Sequence, residues 1–411
     1  MKNIVRLGVL GALVSWCFEP ALADEPSLLR FEAVELAKDI DIGYAAAAAD
    51  VDADGDPDAV VVDSQQVWWF ENPGWKRYAL TEKGSTKPHN ICIAGADIDG
   101  DGKTDFALGT DWRPFDTTKG GDVVWLNRGE DPRKPWTVHP VHAEPTTHRI
   151  GFADLDGDGR PELINVPLMG RDSKKEENWK DRPVRVLSFS IPKDPVKDPW
   201  IPAVLDESLH VAHNFVVTDL LGCRDVLVAS YDGITRLCRA SGSWKEARIG
   251  AGDEAGADNA LTKQNRSYGA GEIGIGRLAD GTPFIATVEP WHGHQLAVYT
   301  PPPENKPGVL WTRTIVDPKG GWGHTVICAD LDGRPGDEIV VGWRDATQES
   351  GKPGVGVYTA TAPDGTSWRK QMVEEGVNAE SVAVADFDGD KRRDILVAGR
   401  QSHNAKILFQ R

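Results

Sequence analysis

Short apolar runs recur along the chain in pairs, and each pair is divided by an acidic turn. The turns read DVDADGDPD at Asp50–Asp58, DIDGDGKTD at Asp97–Asp105, DLDGDGRPE at Asp154–Glu162, DLDGRPGDE at Asp330–Glu338 and DFDGDKRRD at Asp386–Asp394. The runs after them are Ala59–Val62, Phe106–Leu108, Leu163–Val166, Ile339–Val341 and Ile395–Val397. This is the pattern of strand, tight turn, strand. Two worn copies complete the series: Asp219–Gly222 before Asp225–Val228, and Arg277–Gly281 before Phe284–Ala286. The starts at 50, 97, 154, 219, 277, 330 and 386 are 47 to 65 residues apart, the length of a four-stranded propeller blade with its loops.

Further runs predict the outer strands. Gln66–Asn72, Asp122–Asn127, Val184–Phe189, Ile234–Arg239, His294–Thr300 and Gly354–Thr359 read as third strands. Lys76–Leu80, Trp136–Val141, Trp200–Leu205, Trp244–Ile249, Trp311–Val316 and Trp368–Val373 read as fourth strands. The last repeat reaches only a third strand, Ala405–Phe409, and Leu29–Ala37 is available to complete it. That pairing closes the ring and removes an exposed sheet edge. The expected fold is all-β: one seven-bladed propeller of four-stranded antiparallel blades over residues 24–411.

Composition agrees with a turn-rich β protein, with 43 glycines, 27 prolines and 15 tryptophans against 3 methionines. A net charge of −17 with no basic stripe argues against a nucleic-acid partner. Lys2 and Arg6, the apolar stretch Ile4–Trp16 and Ala21-Leu22-Ala23 read as a secretory leader over residues 1–23. The apolar stretch is too short for a transmembrane anchor, so a periplasmic or extracellular protein is expected. Of the later cysteines, Cys223 and Cys238 share a repeat and are placed to pair in an oxidising compartment, whereas Cys92 and Cys328 lie in apolar runs as buried thiols. A closed propeller needs no oligomer to fold.

The repeats resemble the FG-GAP or VCBS repeats of integrin α-subunit-like propellers and of many secreted bacterial proteins. Their DxDxDG spacing puts carboxylates at turn positions 1, 3 and 5, with an acid at 9, a set suited to calcium. Repeats one, two and seven hold the full set: Asp50, Asp52, Asp54 and Asp58; Asp97, Asp99, Asp101 and Asp105; Asp386, Asp388, Asp390 and Asp394. Repeat three has Asp154, Asp156 and Asp158 with Glu162 at the ninth place, and repeat six carries Arg334 where an acid belongs. The competing reading is that these carboxylates only bind the amides of their own turns.

Histidines give the second signal. Six residues before the turn starts stand Tyr44, His148, His213, Gly271 (beside Glu272), His324 and Glu380. In repeat two His89 stands eight residues back, on the same side by strand parity. These positions begin the innermost strands, so the ring aims them at one axis. Loops on the same face carry Trp112 and Arg113, Arg171, Tyr231, the run Glu289–His294 with Trp291 and His292, Trp343 and Arg344, and Arg400. Tryptophan faces and arginine forks around a histidine-lined funnel suit a carbohydrate, with Trp112, Arg113, Trp291, Trp343 and Arg344 as its contacts. His139, His142 and His403 lie away from the ring positions.

A cluster of neutral imidazoles favours Zn, Mn, Fe, Co or Ni over calcium. Such an ion polarises a carbonyl so that a neighbouring carbon loses a proton, and β-elimination from a keto-sugar or uronate follows. The stretches PHNICIAGADIDGDG (Pro88–Gly102), THRIGFADLDGDG (Thr147–Gly159), EPWHGH (Glu289–His294) and GHTVICADLDG (Gly323–Gly333) resemble the propeller of the aldos-2-ulose dehydratase family. That resemblance implies a metal-containing enzyme that removes water from keto-sugars. It points to His89, His148, His213, His292 and His324 as the metal-and-base set. Tyr44, Arg149 and Glu380, together with His148 and His213, are candidates for proton transfer. The alternatives are a non-catalytic, calcium-stabilised propeller that binds glycans or proteins, and a glycoside hydrolase.

Overall fold

Each pair of apolar runs becomes the first and second strands of an antiparallel sheet in the computed structural model, which describes residues 28–240, 242–258, 265–303, 308–346 and 351–411. The expected leader, residues 1–23, lies outside the described residues. Seven four-stranded sheets form the blades of a propeller. Their innermost strands are Ala45–Ala49, Cys92–Ala96, Thr147–Ala153, Asn214–Thr218, Glu272–Arg277, Gly323–Ala329 and Ala379–Ala385. The ring closes as expected: Phe31–Ala37 is the outermost strand of blade seven and pairs with Ala405–Gln410, Phe31 opposite Gln410 and Ala37 opposite Ala405.

Position in the blade explains composition. Second strands are covered on both faces by neighbouring blades, and those of blades one, two, three, four, six and seven are buried at every residue. This is why they read as continuous apolar runs rather than alternating ones. The innermost strands converge on the axis, where space is narrow, and small residues fill it, as in AAAAA of blade one and CIAGA of blade two. Aromatic side chains lock blade to blade: Trp69, Phe106 and Trp136 join blades one and two, while Phe70, Phe387 and Phe409 join blades one and seven.

The acidic turns are built by their own side chains. Asp50 accepts the amides of Ala53 and Gly55, Asp97 those of Gly100 and Gly102, and Asp154 those of Gly157 and Gly159. The ninth residue turns inward and clasps the blade. Asp58 accepts from the amides of Val51 at 2.9 Å and Asn72 at 2.7 Å, and Asp394 from Phe387 at 2.8 Å and Gln410 at 2.9 Å. Burial pushes the carboxyls of Asp58, Asp105 and Asp394 up to about 6. The outer positions still converge: single oxygens of Asp50, Asp52 and Asp58, or of Asp97, Asp99 and Asp101, lie within 4.8 Å of one another.

Two features depart from the simple repeat. A hairpin, Asp253–Asp258 paired with Arg266–Gly269, stands between blades four and five. A 3-10 turn, Lys175–Glu177, interrupts the loop of blade three, and the two meet where Asn178 Nδ2 donates to the Arg266 carbonyl at 2.7 Å. Cys223 and Cys238 form a disulfide, Cys92 is a buried free thiol and Cys328 a half-buried one.

The clasp is open to test. Asp394→Ala leaves two buried amides without an acceptor and is expected to cost about 2–4 kcal/mol of stability in denaturant titration. A change within experimental error would show that the clasp contributes nothing.

Candidate functional site

The histidine face of the channel is shaped by three β-bulges. Pairing in blade three passes from Thr147–Pro167 to Arg149–Val166, in blade six from Gly323–Trp343 to Thr325–Gly342, and in blade seven from Ala379–Gly399 to Ser381–Ala398. The residue skipped each time is His148, His324 or Glu380. A bulge residue is released from the ladder, so its side chain can be re-aimed. His213 and Tyr44 stand one residue before their strands, held by amide bonds to Ala229 and Val62.

Neighbouring blades then fix each imidazole. His148 Nδ1 lies 3.1 Å from the carbonyl of His213, and His324 Nδ1 lies 2.8 Å from the carbonyl of Glu380. His213 Nδ1 lies 2.8 Å from Glu272 Oε1. An Nδ1–H donates to each of the two carbonyls, so Nε2 of His148 and His324 keeps its lone pair, whereas His213 Nδ1 lies close to Glu272 without a hydrogen bond to it. His213 Nε2 faces His292 Nε2 at 2.5 Å, and one ring nitrogen each from His213, His292 and His324 lies within 4.8 Å of the others. His292 and His324 stack at 4.8 Å, and His148 lies 4.5 Å from His213 between ring centres. Burial drives the pKa of His148, His213, His292 and His324 well below 6.5, with Arg149 or Arg344 adding to the effect at each. Buried neutral imidazoles with converging nitrogens, His148 and His324 with the second nitrogen tethered, form a donor set suited to a metal ion.

Two carboxylates and three arginines surround the cluster. Glu272 accepts from Asn214 at 2.6 Å and Arg149 at 3.2 Å, and burial pushes its carboxyl up to about 7. Glu380 accepts from Arg344 at 3.0 Å and Arg400 at 2.6 Å. The Arg400 guanidinium lies 5.1 Å from the ring of Tyr44, whose hydroxyl burial holds above its ordinary pKa. Trp112 packs on His148 at 5.2 Å and Trp291 on His292 at 3.9 Å. A cavity of about 290 Å³ opens beside them, lined by Trp291, His292, Trp322, Asp258, Ser267 and Asp345.

Four of the five expected histidines therefore come together, and His89 does not. It is exposed, precedes its strand in a left-handed conformation (φ 63°), and lies against Tyr44 instead. Strand parity does not carry through such a residue, which is why counting put it in the ring. Trp343 is also displaced from the funnel: it ends a buried strand and donates to Tyr358 at 3.1 Å inside blade six. Arg113 pairs with Asp111 at 2.8 Å, half-exposed. The repeat pattern does not point to Asn214 or Trp322. Glu272 stands one place past its ring position because the turn of blade five is worn.

Residues 120–302 match the family model described as the β-propeller domain of aldos-2-ulose dehydratase, and residues 50–108 match an FG-GAP-like repeat. The chain is similar to the aldos-2-ulose dehydratase propeller. The matched stretch contains His148, His213, Glu272 and His292. Aldos-2-ulose dehydratase of Phanerodontia chrysosporium is 26% identical over 288 residues, which are 65% of this chain. The alignment covers 30% of that relative's own length. Among solved structures, an ancestral GH74 enzyme superposes with a TM-score of 0.54 at 12% identity, covering 91% of this chain and 46% of that one. Sqt1 of Saccharomyces cerevisiae superposes with a TM-score of 0.52 at 9% identity, covering 92% and 97%. These two likenesses are of fold alone.

The depressed histidines predict a pH dependence. Below about pH 6.5 the unfolded chain protonates these imidazoles while the native ring holds them neutral. Their contribution is therefore complete above about pH 6.5 and is lost as pH falls. In chelator-treated protein the urea midpoint should drop on acidification less steeply in His292→Gln than in the wild type, and equal slopes would contradict the assignment.

Proposed function

We propose that the chain is a secreted, metal-dependent carbohydrate lyase that carries out β-elimination on a keto-sugar or uronate in the histidine-lined funnel. The observation that carries this reading is the convergence of three buried, neutral imidazoles, His213, His292 and His324, the last with its second nitrogen tethered. Similarity to a keto-sugar dehydratase propeller supports it in chemistry, and the Cys223–Cys238 disulfide supports an oxidising compartment.

His213, His292 and His324 would hold a Zn, Mn, Fe, Co or Ni ion, which when bound supplies Lewis acidity to a carbonyl or carboxylate oxygen. His148 stands beside the three with Nδ1 tethered, so Nε2 takes the proton from the carbon next to that carbonyl. Arg149 holds the adjacent carboxylate of Glu272 and lies beside His148, so it opposes the charge that His148 gains. That opposition returns His148 to its neutral form for the next cycle. Trp322 offers a flat surface to a sugar ring, while Trp112 and Trp291 are buried against His148 and His292 and back the site, and Arg344, fixed between Glu380 and Trp322, presents its remaining donors to hydroxyls or a carboxylate. Calcium in the intact acidic turns is the structural part of the same reading, and added calcium should raise the melting temperature.

The test is elimination itself. Incubation with 3-keto-glycosides or anhydrofructose should produce a conjugated-enone absorbance, and incubation with uronates that of an unsaturated carboxylate. His148→Ala should slow it by about 10²–10⁴-fold with the melting temperature kept. Full activity in His148→Ala would remove the base, and no unsaturated product from any of the three classes would leave a binding propeller as the better description.

A further inference from the structure

The residue that fails to join the cluster is the one whose backbone is strained to put it elsewhere. His89 has φ 63°, a region that costs a residue with a Cβ roughly 1–3 kcal/mol. The chain holds it there from both sides: its amide donates to the Ser64 carbonyl at 2.6 Å, and its own carbonyl accepts the amide of Trp112 at 3.1 Å. What the conformation achieves is contact with Tyr44. Their rings meet edge-on at 6.4 Å, and the Tyr44 hydroxyl lies 3.5 Å from His89 Nδ1. The imidazole is exposed to solvent, whereas Tyr44 is 5% exposed.

Tyr44 occupies in blade one the place that His148, His213 and His324 occupy in theirs, six residues before the acidic turn. Its amide bond to the Val62 carbonyl matches the bond from His213 to Ala229. It is linked to the cluster by a continuous chain of contacts. Arg400 lies against its ring and donates to Glu380, whose backbone carbonyl receives His324 Nδ1. A buried phenol thus stands between the cluster, which it reaches through Arg400 and Glu380, and a solvent-exposed imidazole.

We infer that Tyr44 is the proton donor to the departing oxygen and that His89 returns the proton from solvent. This assignment rests on the elimination reading of the site. As the bond between carbon and the leaving oxygen breaks, its electron pair goes to oxygen, and the Tyr44 O–H gives that oxygen its proton. His89 Nδ1–H then reprotonates the phenolate, and exposed Nε2 equilibrates the imidazole with water, so no other reactant is consumed. The 3.5 Å separation is long for a hydrogen bond, as expected of a catalytic contact that shortens with substrate in place.

Leaving-group dependence separates this role from a structural one. Full-length wild type, Tyr44→Phe and His89→Asn are to be assayed for enone formation on 3-keto-glycosides with an alkyl or an aryl leaving group. Asparagine is chosen because it tolerates the left-handed backbone. An alkoxide needs a proton to depart and a phenolate does not. Tyr44→Phe should therefore lose about 10²–10⁴-fold on the alkyl substrate and only a few-fold on the aryl one, with transition-metal content unchanged. His89→Asn should lose rate in the same selective way, and added imidazole should restore it because the site of His89 is open to solvent. Equal losses on both substrates, or none on either, would overturn the proton-donor role while leaving the lyase reading intact. A wild type that eliminates neither leaving group would overturn both.

Discussion

A neutral imidazole can present a lone pair in a fixed direction only if the proton on its other nitrogen is held. The propeller holds it by symmetry. Each innermost strand brings its first residues beside the same residues of the next blade, so the ring atom Nδ1 of one blade meets an oxygen from its neighbour. His148 uses the His213 carbonyl and His324 uses the Glu380 carbonyl, while His213 Nδ1 lies beside the Glu272 carboxylate without a hydrogen bond to it. Release of His148, His324 and Glu380 from their ladders by bulges makes the first two contacts possible. The site is thus a consequence of blade spacing, and what maintains that spacing also maintains the chemistry.

The two faces of the ring divide the work. On one, the ninth acid of each intact turn clasps its own blade, and the aromatic contacts between blades set their separation. On the other, burial removes charge from the imidazoles while three arginines and two carboxylates remain paired around them. The opposed arrangement explains why the loudest pattern in the chain, the acidic turn, lies away from the candidate reaction centre.

Most of the fold was legible because the repeat is periodic. The acidic turns marked strand ends well enough to count seven blades and to identify Leu29–Ala37 as the closing segment, of which Phe31–Ala37 is the strand. The same ruler located His148, His213 and His324, since residues at equal places in equal blades share an axis. It failed where local geometry breaks the count. His89 is itself left-handed, and Glu272 precedes a worn turn. Trp343 looked like a loop residue from its neighbours, yet it is the last residue of a buried strand and packs within its blade. The hairpin strands Asp253–Asp258 and Arg266–Gly269 have little apolar alternation to announce them, and the contacts that Tyr268 and Arg266 make with Tyr231 and Asn178 are tertiary.

The central claim is that this ring of imidazoles is a metal centre, and metal stoichiometry tests it most directly. Elemental analysis of the purified wild type is to be compared with His213→Ala and His324→Ala variants whose melting confirms that they fold. About one zinc, manganese, iron, cobalt or nickel ion per chain is predicted in the wild type, lost from both variants, with turn-bound calcium unaffected by either substitution. Calcium alone in the wild type, or a transition ion retained by both variants, would contradict it.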